Sequence, residues 1–332
     1  MAEWVYEAGI GEARAALIEA GRILEMAIEP DSDVPRAGAI LAARLARRAD
    51  GSGRGEVTLD DGSVARLSPV PPGLTEGARL MVEVVREVIP EADGWKPAIV
   101  RAAREGALPV PGPDLRARLA ASGIPLRELA PGPDLMEAHG WSEEIEEAVS
   151  GIVARPQAML RLSLTPAMLL IDVDGMGAPA ALAVAGAALA GETIRRFAVA
   201  GSIGIDLPTM AAKADRQAAA AALDAALPPP FERTAVNGFG FLQIVRRRVR
   251  PSLIEQLAAD PPAAAARALL RRAERASGHG AVTIEAAPAV IARLAARPDW
   301  QQALARRLGA ALVLREAANR PIWAGHAQRA HN

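Results

Sequence analysis

The chain has 332 residues, no cysteine and a formal net charge of −1. A hydrophobic content of 51% is typical of a folded chain. The lack of cysteine excludes disulfides and thiolate zinc sites and favours a reducing cytoplasm. No signal peptide or membrane-spanning apolar run is recognisable, so we expect a cytoplasmic protein without a membrane partner. The near-neutral charge argues only mildly against nucleic-acid binding, because residues 195–275 are locally basic.

Two segments of short strand-like runs open the chain. Residues 1–35 contain apolar runs separated by turn signals and are predicted to form a set of strands. Residues 36–93 contain four such runs, with Asp60-Asp61-Gly62 as a hairpin turn, and predict a small β-barrel. No aromatic residue lies between Asp31 and Gly94, so this barrel lacks a surface on which bases could stack. Its arginines could contact RNA only through their charge, or they could simply form a solvated face. They are Arg44, Arg47, Arg48, Arg54 and Arg66.

The next segment is rich in proline and glycine. Residues 94–160 are predicted to be a connector of short helices, with Asp114 and Asp134 as helix caps. Residues 254–332 alternate helix-like and strand-like patterns and predict a small α+β domain.

Residues 161–253 carry the most chemical information. One apolar run ends in Asp172-Val173-Asp174, and a second ends in Asp206. Each run is short and apolar throughout, as in strands buried on both faces, and an Ala-rich helix is predicted between them. A strand, a helix and a second strand would bring both carboxylates to one edge of a sheet.

Carboxylates at such an edge suit a hard divalent cation. Mg²⁺ is commonly held by one or two carboxylates, with the remaining oxygens supplied by water and phosphate. Asp172 and Asp206 are the candidate ligands, with Asp174 as a third acid. The alternative is that these aspartates cap helices or stabilise turns, which aspartate also favours.

The residues around these acids form an ordered set of motifs. The chain reads TPAMLLIDVD at residues 165–174, GSIGIDLPTM at 201–210 and FGFLQIVRRRVRPSL at 239–253. This order resembles the ribonuclease E/G family of bacterial endoribonucleases. The resemblance implies an α+β multidomain fold: a ribonuclease-H-like and deoxyribonuclease-I-like catalytic core, an inserted OB-like β-barrel and a small C-terminal α+β domain.

The resemblance also implies roles for individual residues. Asp172 and Asp206 would bind Mg²⁺, and Asp174 stands where the family usually has an asparagine that orients the metal or its water. Two positions depart from the family pattern: Pro166 replaces a glutamate, and Thr209 replaces a second acid. The basic residues expected to contact RNA, or alternatively to form a solvated face, are Lys213, Arg216, Arg246 and Arg248.

The function implied is a Mg²⁺-dependent endoribonuclease that cleaves single-stranded RNA. The family's 5′-monophosphate sensor signature is absent, and no structural zinc can link two subunits because there is no cysteine. A homo-oligomer that forms without a zinc link is still compatible with the sequence. One alternative is a non-catalytic RNA-binding or interaction protein on the same scaffold. Another is an unrelated small-molecule enzyme with a phosphate-binding turn at Gly201-Ser202-Ile203-Gly204.

Overall fold

The computed structural model describes residues 1–48, 53–91, 94–130 and 132–330. The strands in these residues are β1 (Glu3–Ala8), β2 (Glu12–Glu19), β3 (Arg22–Pro30), β4 (Ile40–Arg48), β5 (Gly55–Leu59), β6 (Val64–Leu67), β7 (Arg79–Arg86), β8 (Ile89–Glu91), β9 (Gly94–Lys96), β10 (Ala98–Ala102), β11 (Leu126–Glu128), β12 (Ile152–Arg155), β13 (Ala158–Leu164), β14 (Leu169–Asp174), β15 (Gly201–Asp206), β16 (Glu232–Arg233), β17 (Phe241–Arg246), β18 (His279–Ala286), β19 (Leu312–Glu316) and β20 (His326–Ala330).

The helices in the same residues are α1 (Leu115–Ala120), α2 (Trp141–Ser150), α3 (Pro179–Arg196), α4 (Lys213–Ala226), α5 (Leu253–Ala259), α6 (Pro261–Glu274), α7 (Pro288–Ala295) and α8 (Pro298–Leu308). Short 3₁₀ turns lie at Glu137–His139 and Ile322–Ala324. The fold is therefore α+β, as predicted. Among the described residues, no helix is both long and apolar enough to cross a membrane.

The described residues divide into two compact units. The first combines Met1–Asp31, Gly123–Glu143 and the described part of Leu257–Asn332. The second combines Glu144–Gln256 with the described part of Ser32–Ser122. The five predicted segments are thus distributed over two units, and each unit contains stretches that are distant in sequence.

The first unit contains two sheets. One has the strand order β11-β1-β2-β3, and the other has the order β19-β18-β20 with α6, α7 and α8 in the same unit. This unit also contains buried charged residues. Glu12 is only 3% exposed, and its carboxylate contacts Arg267 and Arg271 of α6. These ion pairs tie the beginning of the chain to its last quarter.

The second unit contains a closed five-stranded barrel with the order β10-β6-β5-β4-β7. Its interior is filled by small and branched apolar side chains, among them Leu45, Val57, Leu67 and Val82. The barrel was predicted within residues 36–93, but its closing strand β10 lies in the segment interpreted as a helical connector. Closure depends on pairing with both β6 and β7, which a short apolar run does not reveal.

The interpretation of residues 94–160 as helical is incomplete. Asp114 does cap α1, since its side chain accepts a hydrogen bond from the Ala117 amide, and the Asp134 carboxylate accepts one from the Glu137 amide. The same segment, however, also supplies β11, β12 and the beginning of β13. Strand β11 pairs with β1, which lies far away in sequence, whereas β12 and β13 pair with each other at one edge of the six-stranded sheet.

A six-stranded sheet forms the second main element of this unit, with the order β12-β13-β14-β15-β17-β16. Strand β14, helix α3 and strand β15 form the predicted βαβ unit, and the two strands are parallel. The helix lies close to the sheet, because a Cβ atom on Gly186 would come within 2.2 Å of Val173.

Strand β14 corrects one expectation. It was predicted to be buried on both faces, but its residues alternate between buried and accessible. Ile171 and Val173 are buried, whereas Leu170, Asp172 and Asp174 face the other side and remain accessible. That face of the sheet carries the candidate site.

Candidate functional site

Asp172 and Asp206 are direct partners across two parallel strands. Asp172 lies near the end of β14, and Asp206 is the last residue of β15; the pairing register places their Cα atoms opposite each other. Both residues are exposed. Because side chains paired in this way point to the same face of a sheet, the two carboxylates are neighbours at the carboxyl edge of the strands. The edge predicted from the βαβ pattern is the edge observed.

The negative charge at this edge is incompletely neutralised. Burial raises the pKa of the Asp172 carboxyl, and the charges of Asp174 and Asp206 raise it further, while Arg161 lowers it. Within the described residues, neither Asp172 nor Asp206 forms an ion pair with a basic side chain. A bound cation would relieve this repulsion.

Asp174 is held differently from the other two acids. It lies two residues beyond Asp172 on the same face of β14, and its carboxylate pairs with the guanidinium of Arg161 on β13 at 2.9 Å. Its charge is therefore partly compensated by the protein, and its position is fixed by that contact.

A loop of six residues joins Asp206, at the carboxyl end of β15, to the first turn of α4. Lys213, the first residue of the helix, is exposed and has no ion pair within the described part of the chain. Arg216 folds back, and its Nη1 donates to the carbonyl oxygens of Met210 at 2.7 Å and Ala211 at 2.9 Å. Lys213 is thus available to an anion, whereas Arg216 stabilises the loop.

Arg246 and Arg248 lie at the other end of the strands. Arg246 pairs with Gly201, five residues before Asp206, which corresponds to a separation of about 17 Å along the strand. Its Nη1 donates to the carbonyl oxygen of Val199 at 2.9 Å. Arg248 contacts the carboxylate of Glu255. The structure does not bring these two arginines next to the aspartates.

An apolar strip borders the acids on the open face of the sheet. Phe241 is the pairing partner of Asp206, and its ring extends over Gly204, where a Cβ atom would lie 2.6 Å from Cζ. Leu170, on the other side of Gly204, precedes Asp172 by two residues on the same face. Sequence reasoning missed this strip, although the alternation of Leu170, Asp172 and Asp174 is a signal that could have revealed it.

The glycine run at the start of β15 does not form a phosphate-binding loop. Gly201, Ser202, Ile203 and Gly204 are all part of the strand and pair with β17. Since no helix begins there, the dipole and free amides that bind phosphate in such loops are missing. This finding removes the main support for a small-molecule enzyme.

The barrel shows a basic outer surface. Arg44 on β4 and Arg79 on β7 are pairing partners, and both are exposed. Directly opposed like charges are unfavourable unless an anion or solvent screens them. Of the other arginines considered from the sequence, Arg47 and Arg66 each pair with Glu56 on β5.

The donor set at the edge suits Mg²⁺ only as an open site. In the described ranges, no group of three or more histidine, cysteine or acidic side chains is arranged to enclose a metal ion. The candidate ligands are the two carboxylates of Asp172 and Asp206. Mg²⁺ is often bound by one or two carboxylates together with water and phosphate oxygens. The residues therefore fit Mg²⁺ that shares its ligands with a substrate.

The wider comparison with known proteins adds no family assignment. No protein-family model matches the sequence, and no curated protein matches it significantly.

Proposed function

We propose that the protein is a Mg²⁺-dependent endoribonuclease that cleaves single-stranded RNA, with Asp172 and Asp206 as the metal ligands. One observation carries the proposal: the two aspartates are direct partners at the carboxyl edge of β14 and β15, and neither forms an ion pair with a basic side chain in the described residues. Asp172 and Asp206 would hold the Mg²⁺, which would balance their negative charge.

Two further features support the proposal. The motifs at residues 165–174, 201–210 and 239–253 resemble those of the ribonuclease E/G family and follow in the same order. The closed barrel occupies the segment in which that family has an OB-like domain. On this proposal, the sheet β11-β1-β2-β3 belongs to a ribonuclease-H-like scaffold. The protein would act in the cytoplasm, and any homo-oligomer would form without zinc.

Each residue at the edge has a defined chemical task. Asp172 and Asp206 supply carboxylate oxygens, and Asp174, held by Arg161, orients a water molecule by accepting its hydrogen bond. Lys213 attracts a phosphate oxygen from the first turn of α4. When bound, Mg²⁺ lowers the pKa of a coordinated water and stabilises negative charge on the phosphate. Arg246 and Arg248 would contact the RNA only if the RNA chain extended along the sheet from the aspartates to the other end of the β-strands.

The alternative function is a non-catalytic RNA-binding or interaction protein. Pro166 and Thr209 stand where the resembled family has acids, and the barrel segment between Asp31 and Gly94 has no aromatic residue. Fewer acids would weaken catalysis while leaving charge-based binding intact.

Cleavage of a short AU-rich single-stranded RNA tests the proposal. The wild type, Asp172→Asn and Asp206→Asn are compared in Mg²⁺ and in EDTA, with Asp60→Asn, on an exposed turn, as a control of equal charge change. We expect Mg²⁺-dependent cleavage by the wild type and the control, and loss of cleavage in both site variants. Wild-type RNA binding without cleavage would instead establish the binding protein.

A further inference from the structure

Phe239 is a large apolar side chain held in an exposed position. It is one of four phenylalanines in the chain, and it is 82% exposed. It lies in the turn that leads into β17, at the same edge of the sheet as Asp206, because β17 runs antiparallel to β15. A single exposed apolar residue is ordinary, so its meaning depends on how it is held and what surrounds it.

The turn that carries Phe239 is fixed from within. The side-chain oxygen of Asn237 accepts hydrogen bonds from the amide of Phe239 at 2.9 Å and from the amide of Phe241 at 3.0 Å. The amide of Gly240 donates to the carbonyl oxygen of Asn237 at 3.2 Å. These bonds define the backbone on both sides of the exposed ring.

The turn is also tied to the loop that follows Asp206. The Leu207 amide donates to the carbonyl oxygen of Gly240 at 3.2 Å, and Thr209 Oγ1 donates to that of Phe239 at 3.3 Å. Gly240 has a φ of +95°, and a Cβ atom there would lie 2.1 Å from the Leu207 carbonyl oxygen. The close approach requires glycine and leaves the neighbouring Phe239 pointing outward on a rigid support.

A second exposed apolar side chain lies at the same edge of the sheet. Met176, in the loop after β14, is 97% exposed. Apart from Met1, Met176 and Phe239 are the two most exposed large apolar side chains in the described ranges. The edge therefore carries both the acid pair and two exposed apolar side chains, and a ligand that combines negative charge with flat apolar groups would complement it.

We infer that Phe239 stacks against a base of single-stranded RNA, next to the phosphodiester held at Asp172 and Asp206; this inference rests on the proposed function. A nucleotide chain carries its negative charge and its flat base faces side by side, as the edge requires. Stacking needs a base that is free of a duplex partner, and it tolerates any base because each has a π-face. The preformed turn lowers the entropic cost of ordering the ring on binding.

The test measures RNA binding separately from cleavage. Wild type, Phe239→Ala, Phe239→Tyr and Leu108→Ala are compared, since Leu108 is 79% exposed and gives a matched loss of exposed apolar surface. An unstructured RNA oligonucleotide with 2-aminopurine at one base and a cleavage-resistant phosphorothioate backbone reports stacking by fluorescence quenching. Anisotropy gives the Kd, in Mg²⁺ and in EDTA, with Asp172 and Asp206 left intact. Melting temperatures check that each variant is folded.

We expect Phe239→Ala to weaken binding about 5- to 100-fold and to remove the quenching, with Phe239→Tyr and Leu108→Ala close to wild type. In cleavage assays the loss should appear mainly as an increase in KM. If Phe239→Ala binds and quenches like wild type while cleavage is intact, the stacking contact is refuted and the nuclease stands. Binding and quenching that depend on Phe239 without any cleavage would refute the nuclease alone. No RNA binding by the wild type would refute both.

Discussion

The ring of Phe241 occupies the space in which a side chain at Gly204 would begin, on the face of the sheet that carries Asp206. A Cβ atom at Gly204 would lie 2.6 Å from the Phe241 ring and 3.0 Å from Leu170. This relationship makes glycine necessary at residue 204, two residues before the proposed metal ligand Asp206. It joins the architecture of the sheet to the candidate site.

Gly204→Ala is expected to lower the free energy of unfolding by about 1–3 kcal/mol, since Phe241 must move to admit the methyl group. Urea denaturation measures the loss. Gly238→Ala is the control, because nothing lies within 4 Å of a Cβ atom there and the change should stay within about 0.5 kcal/mol. Equal effects of the two substitutions would contradict the packing.

Asp206→Asn should respond to Mg²⁺ differently from the wild type. Mg²⁺ bound only to the folded state raises the melting temperature of the wild type, and the variant should lose this increase because one ligand charge is gone. Without metal, the variant should be slightly more stable, since it removes the negative charge beside Asp172. Thermal melts with and without Mg²⁺ measure both effects.

Asp60→Asn is the control for that experiment and should keep the wild-type response to Mg²⁺. An Asp206→Asn variant that gains as much melting temperature from Mg²⁺ as the wild type would mean that the metal binds elsewhere.

A cluster of acids and arginines in the second unit predicts a dependence of stability on pH. Glu144 lies 3.2 Å from Arg196, and Glu147 is paired with Arg155. Burial raises the pKa of the Glu144 carboxyl to about 7, Arg196 opposes the increase, and Glu147 adds to it.

The folded state therefore binds a proton at Glu144 more tightly than the unfolded chain, in which the pKa is near 4.5. The resulting stability is fully present below pH 4.5 and is lost as the pH rises to about 7. Glu144→Gln should flatten the pH dependence of unfolding over this interval by on the order of 3 kcal/mol. Glu146→Gln, on the exposed side of the same helix, should have the same pH dependence of unfolding as the wild type. If the stability of Glu144→Gln still fell steeply over this pH interval, the assignment of the dependence to Glu144 would be refuted.

Glu12→Gln should destabilise the first unit strongly. Glu12 is buried, and its carboxylate accepts from Arg267 Nε at 2.6 Å and contacts Arg271. Removing its charge leaves two buried guanidinium groups without their partner, at a cost of about 3–5 kcal/mol. Chemical denaturation gives the value.

The matched control for Glu12 is Glu83→Gln, which breaks an exposed pair with Arg101 on the barrel. Its cost should be below about 1 kcal/mol because solvent screens the pair. If Glu12→Gln were equally mild, the buried network would contribute little to the fold.

Some features of this protein are readable from neighbouring residues alone. Asp114 was predicted as a cap because a short acceptor before a helix satisfies a free amide, and the structure has that hydrogen bond. The strand, helix, strand order that ends in Asp172 and Asp206 predicted a common edge, since right-handed crossovers between parallel strands are nearly universal. Both inferences depend on rules that act within one or two elements.

Other features depend on partners that are distant in sequence. Strand β10 was missed because a run of five residues becomes a strand only when β6 and β7 lie on either side of it. Arg246 follows the motif that ends at the candidate site, yet it lies about 17 Å along the strand from Asp206. Its position is set by antiparallel pairing, which reverses the direction of β17 relative to β15.

The sequence by itself determined the α+β composition, the barrel strands up to β7 and the two aspartates at strand ends, because local periodicity and turn chemistry specify each of them. Only the tertiary structure decided which charges remain unpaired and which apolar side chains stay exposed. Arg161 forms an ion pair with Asp174 and not with Asp172 or Asp206, and a turn fixed against the next loop holds Phe239 outward. Charge balance and exposure are properties of neighbours in space, and pairing between distant strands creates those neighbours.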